Sequence, residues 1–112
     1  MPDIIQIRLA GFGGQGIVLA GMLLSIAGVK EGLEVASSNS YGAQARGSAC
    51  KSEVIFGKKA ITYPHVLTSN YLVAMSQGAY GLFLPDMSHD GIILYDRFNV
   101  SPDTASTYIH FG

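Results

Sequence analysis

The chain has 112 residues, the size of a single domain spanning 1–112. Its 7 basic and 8 acidic residues make only 13% of it charged, against about 25% in an ordinary soluble domain, while 48% is apolar. So few charges point to a surface that lies partly against other polypeptide, and a net charge of −1 excludes the electrostatic reach needed for nucleic acid or an acidic membrane.

Met1-Pro2-Asp3 leads straight into a strand-like run with no basic region or cleavage site, so a secretory signal is not expected and the chain is expected to be cytoplasmic. Ile4 to Ala10 reads as a first strand, and Gly11 to Gly16 as a tight turn. Ile17 to Lys30 reads as a helix apolar on nearly every face. Its small residues Ala20, Gly21, Ala27 and Gly28 recur at a seven-residue spacing, which lets one side approach a sheet closely. The continuous apolar-plus-small run from Ile17 to Val29 is too short to span a bilayer, which takes about 20 residues. Gly32 stops the helix, and Leu33 to Ser37 reads as a second strand. Strand, glycine turn, helix, strand is the opening of an α/β fold with a mainly parallel sheet.

Ser37 to Ser48 reads as a long polar loop whose one full charge is Arg46. Cys50 to Phe56 is a third strand, Gly57-Lys58-Lys59 a turn, and Ile61 to Tyr63 is expected to pair back until Pro64 ends it. Tyr71 to Met75 is a fourth strand, Gln77 to Leu84 a short helix ended by Pro85, and Gly91 to Tyr95 a fifth strand. Ser101 to Gly112 carries no recognisable period.

Gly11-Phe12-Gly13-Gly14-Gln15-Gly16 satisfies G-x-G-x-x-G between a strand and a helix. Glycines let the backbone turn tightly there, and the unpaired amides of the helix start favour a phosphate. The alternative is a tight turn that holds no ligand. A dinucleotide site also needs an acidic residue near the end of the second strand, about 20 residues on. Ala36-Ser37-Ser38 stands at that position, and no carboxylate occurs between Glu34 and Glu53, so NAD is disfavoured.

Arg46 either clamps a carboxylate or phosphate, pairs with a partner subunit, or is solvated. Tyr41 and Gln44 either hydrogen-bond the same ligand or serve as packing and surface residues. His65, His89 and His110 lack metal-ligand spacing, and Asp86, Asp90 and Asp96 read as solvated turn residues. Cys50 is the only cysteine, which excludes an internal disulfide and any multi-thiolate cluster within the chain. These residues do not add up to a self-sufficient active site. From the residues alone, a freestanding Rossmann-like phosphate- or nucleotide-binding module without its own catalysis is one reading.

GFGGQGI at Gly11–Ile17, SYGAQARG at Ser40–Gly47, ITYP at Ile61–Pro64 and LVAMSQGAY at Leu72–Tyr80 together resemble the gamma subunit of the 2-oxoacid:ferredoxin oxidoreductases, most closely the 2-oxoglutarate type. The resemblance runs from about Ile4 to Asp96 and implies a Rossmann-like three-layer fold; the C-terminal part departs from the family pattern and is expected to be shortened. It implies a place in a larger enzyme that oxidatively decarboxylates a 2-oxoacid, forms an acyl-coenzyme A and passes electrons to ferredoxin. Thiamine diphosphate, magnesium and iron–sulfur clusters would then sit on partner alpha, beta and ferredoxin-like delta subunits. On this chain, Gly11, Gly13, Gly14 and Gly16 would offer amides to a coenzyme A phosphate, and Tyr41, Gln44 and Arg46 would face the reaction centre.

Overall fold

The computed structural model describes residues 4–11, 16–40, 50–58, 68–98, 100–101 and 109–112. The apolar run Ile4–Gly11 forms β1, the third strand of a six-stranded sheet. After it come α1 (Ile17–Lys30), β2 (Glu34–Ser40), β3 (Cys50–Gly57) and β4 (Ser69–Ala74). The short helix α2 (Gln77–Phe83) and a 3₁₀ turn (Leu84–Asp86) then lead into β5 (Met87–Tyr95) and β6 (Ile109–Phe111). The expected pairing of Ile61 to Tyr63 lies outside the described residues.

The sheet order is β2-β3-β1-β4-β5-β6. The pairs β1–β4, β4–β5 and β5–β6 are parallel, and β1–β3 and β2–β3 are antiparallel. The fold is therefore α/β with parallel pairings in the majority, as expected. One feature of the opening unit differs from expectation: β2 runs parallel to β1 but does not touch it, because β3 is inserted between them. β2 also continues to Ser40 instead of dissolving into a loop at Ser37. Its polar end pairs fully with β3, and Ser52 Oγ donates to Asn39 Oδ1 at 2.8 Å. β5 begins at Met87, so Asp90 lies in a strand and not in a turn. Ile109–Phe111 adds β6 within a stretch that shows no period in the sequence.

Alternation along the strands gives each face of the sheet its own core. Leu9 of β1 and Val54 of β3 pack with Ile17 of α1, and Ile7, Leu24, Phe56 and Val73 join them. On the opposite face Ala10, Leu72, Ala74 and Ile93 pack under Ala79, Tyr80 and Phe83 of α2. Helix, sheet and helix make three layers. The expected close approach of the first helix rests on Gly21 and Gly28, which are buried against β3, whereas Ala27 is exposed. A Cβ on Gly21 would overlap Ser52 Oγ and lie 2.9 Å from Ser52 Cβ; one on Gly28 would overlap the Phe56 ring.

Candidate functional site: a crevice at the carboxyl ends of two parallel strands

β1 and β4 are adjacent and parallel, with Ala10 opposite Ala74, and the Met75 amide donates to the Ala10 carbonyl at 2.9 Å. From this pair the chain leaves in opposite directions, β1 into α1 over one face and β4 into α2 over the other. Such a reversal opens a crevice beyond the carboxyl ends of the strands, the usual ligand position in doubly wound sheets.

The two helix starts on its rim are finished differently. Gly16, at the N-cap of α1, has φ 76° and ψ 17°, makes no side-chain cap, and is followed by a first turn without an acidic residue. Its carbonyl accepts the Ala20 amide at 2.9 Å, while helix geometry leaves the amides of the first turn without partners inside the helix. A Cβ on Gly16 would meet nothing within 4 Å, so glycine is required there by its backbone angle and not by crowding. α2, in contrast, closes its own start: Ser76 Oγ accepts from the Ala79 amide at 3.2 Å. Beyond β5, Asp96 Oδ1 accepts from the Phe98 amide at 3.0 Å, the turn role expected of it, and Gln77 Oε1 accepts from the Ser101 amide at 2.6 Å.

Of the expected site residues, Gly11 ends β1 and is buried, and Gly16 caps α1. Gly13, Gly14, Tyr41, Gln44 and Arg46 lie outside the described residues. The strand ends bounding the 41–49 segment are described. Gly11 of β1 pairs with Cys50 of β3, and Ser40 of β2 pairs with Lys51. Ser40 and Cys50 thus lie at the same end of the sheet as Gly11. Ser38-Asn39-Ser40 closes β2 at that end, where a dinucleotide site would need a carboxylate.

One constellation escaped the sequence reading. Behind the crevice, on the α2 face, Arg8 Nη2 and Nε meet Glu53 Oε2 at 2.8 and 2.9 Å, with both side chains almost fully buried. Lys51 Nζ lies 3.4 Å from the same oxygen, and the Phe83 ring of α2 stands 4.8 Å from the Arg8 guanidinium carbon. The available signal was slight: one arginine in the apolar strand β1 and one glutamate beside Val54 and Ile55 in β3. Among the described residues, no cluster of three histidine, cysteine or acidic side chains is arranged to hold a metal, and no helix is long and apolar enough to cross a membrane.

Residues 6–109 match the family described as pyruvate ferredoxin/flavodoxin oxidoreductase. The chain belongs to this family. Among curated members, the 2-oxoglutarate synthase subunit KorC of Methanocaldococcus jannaschii is 43% identical over 99 residues, which are 88% of this chain and 53% of that protein. The chain thus spans about half the length of that curated relative. Among solved structures, the gamma subunit of the keto/oxoacid ferredoxin oxidoreductase of Geobacter sulfurreducens matches at TM-score 0.82 and 31% identity, over 97% of this chain and 59% of that one. The 2-oxoglutarate:ferredoxin oxidoreductase of Magnetococcus marinus, solved with 2-oxoglutarate, coenzyme A and succinyl-CoA bound, matches at TM-score 0.85 and 22% identity. There the shared fold covers 98% of this chain but only 20% of the longer one. The gamma-type resemblance read from the four motifs agrees with these family members.

Proposed function

We propose that this chain is the gamma-type part of a 2-oxoacid:ferredoxin oxidoreductase acting on 2-oxoglutarate, in which a 2-oxoacid is oxidatively decarboxylated to an acyl-coenzyme A and ferredoxin is reduced. The 2-oxoglutarate preference is supported by the 43% identity to a 2-oxoglutarate synthase subunit. The chain's own contribution is to hold a phosphate of coenzyme A at the start of α1 and to present Tyr41, Gln44 and Arg46 toward a thiamine site on a partner. Thiamine diphosphate, magnesium and the iron–sulfur clusters belong to alpha, beta and delta partners, and the complex works in the cytoplasm. Coenzyme A supplies the thiol that accepts the acyl group.

The observation that carries this reading is the open helix start at Gly16, beside the β1–β4 crevice. A left-handed glycine adds no side chain to the anion's space, and first-turn amides with about half a positive charge attract a phosphate. Glycine at positions 11, 13 and 14 carries no side chain to hold the backbone away from the same group. Arg46 is the full positive charge between Val35 and Cys50 and suits a carboxylate or phosphate.

The test uses the assembled enzyme with Arg46→Ala and follows 2-oxoglutarate-dependent ferredoxin reduction and acyl-coenzyme A formation. Losing one charge-assisted contact of about 1.5–3 kcal/mol lowers turnover roughly tenfold to a hundredfold. Wild-type turnover in the assembled variant removes Arg46 from the reaction, and failure of the chain to co-purify with thiamine- and cluster-bearing subunits refutes the assignment.

A further inference from the structure

On the α2 side of the sheet the parallel strands are covered: Leu72 and Ile93 are fully buried beneath that helix. The α1 side is different. There β4 and β5 present Tyr71 opposite Ile92 and Val73 opposite Leu94, and Tyr71 and Leu94 remain 37% and 42% exposed. Parallel strands are ordinarily buried on both faces, so a partly exposed apolar floor on the two parallel strands β4 and β5 is an unfinished layer. Next to it stands α1, whose Leu19, Met22, Leu23, Ile26 and Val29 are all between 48% and 63% exposed. At 100° per residue they form one stripe about 120° wide, turned away from Gly21 and Gly28, which face the sheet. Position 30 carries the first charge in the helix. A helix apolar both toward its sheet and away from it is a buried helix.

The size of this fold's relatives indicates what covers it. The matched stretch is about half of the KorC-type relative and a fifth of the longer oxidoreductase chain of the same fold, so in both the fold is accompanied by further enzyme polypeptide. We propose that the outward stripe of α1, with the Tyr71–Leu94 floor beside it, is the seat of an uncharged, apolar helical segment of the oxidoreductase that lies outside these 112 residues. The occupant is apolar because the stripe offers it no charge to pair with, and helical because ridges of leucine, isoleucine and methionine at this spacing receive another helix. The inference rests on the proposed assembly but is independent of the coenzyme A site, which is at the end of the sheet.

Met22 reports on the stripe directly. It is 55% exposed, whereas Met87 is 7% exposed and serves as an internal reference. The assembled enzyme and the separated chain are treated with hydrogen peroxide, and sulfoxide formation at each methionine is followed by mass spectrometry. The expected result is oxidation of Met22 in the assembled enzyme at least about tenfold slower than in the dilute separated chain, with Met87 slow in both. Photo-cross-linking from position 23 should join a segment of the enzyme outside these residues. Equal Met22 rates in both preparations overturn the seat while leaving the assembly intact. Protection that rises with the concentration of the chain alone assigns the face to a second copy and overturns it too, and absence of any assembly overturns both proposals. Leu23→Glu with Ile26→Glu should leave the melting temperature of the separated chain within about 2 °C, since both side chains are half-exposed, yet abolish assembly. Leu82→Glu, on the equally exposed back of α2, should assemble normally, and assembly by the α1 double variant contradicts the inference.

Discussion

The two helices start at the same end of one sheet and are finished in opposite ways. α1 has 14 residues, begins at a left-handed glycine with no side-chain cap, lies against β3 through Gly21 and Gly28, and leaves an apolar back. α2 has 7 residues, closes its first turn with Ser76, and seats Ala79, Tyr80 and Phe83 in a core that includes fully buried Leu72 and Ile93. The short helix has its Ala79 amide held by its own cap and its inner face in the core. The long helix, by contrast, starts at a residue that offers no side-chain cap and keeps a half-exposed apolar back, the two features on which the proposals above rest.

The largest expected effect concerns what α2 rests on. Glu53→Ala leaves Arg8 buried without its carboxylate beneath Phe83 and should destabilise the fold by roughly 3–5 kcal/mol, as read from urea melts. Arg8→Met combined with Glu53→Leu removes both charges and should come close to wild-type stability. If the double variant is as damaged as the single one, the pair supports α2 in a way that burial alone does not describe.

The glycines sharpen the contrast. Gly21→Ala puts a methyl into Ser52 and should cost roughly 1–3 kcal/mol, despite alanine's better helix propensity. On α2, Ser76→Ala removes the cap bond to the Ala79 amide and should cost about 1 kcal/mol in the same melts. Gly81 has open space around it and an ordinary backbone angle, so Gly81→Ala should stabilise by about 0.5–1 kcal/mol. Equal responses of Gly21 and Gly81 would mean that α1 does not need its close approach.

Much of this arrangement is written in local pattern. The apolar runs of β1 and β4, the small-residue spacing of α1 and the glycine turn all mark their elements, because periodicity and turn chemistry act over a few residues. The end of β2 is hidden, since Ser37 to Ser40 look like loop until β3 supplies hydrogen-bond partners such as Ser52 for Asn39. The insertion of β3 between β1 and β2 is hidden for the same reason: register is a property of two distant segments. At the site, the sequence marks where β1 ends at Gly11 and where α1 starts after Gly16. The Arg8–Glu53 pair was not legible, because 45 residues separate its halves and each looks like an isolated charge. The capping of α2 by Ser76, against a Gly16 that offers α1 no side-chain cap, needed the geometry of both helix ends.

The central claim is that the open start of α1 holds a phosphate of coenzyme A, and it is tested most directly by Gly16→Ala in the assembled enzyme. Alanine at φ 76° strains the turn and places a methyl where the anion would approach. Acyl transfer is measured with coenzyme A and with the phosphate-free thiol pantetheine. The expected result is a KM for coenzyme A raised roughly tenfold, which corresponds to about 1.4 kcal/mol, with the KM for pantetheine unchanged. A Gly16→Ala enzyme whose KM moves equally for both thiols, or for neither, would contradict it.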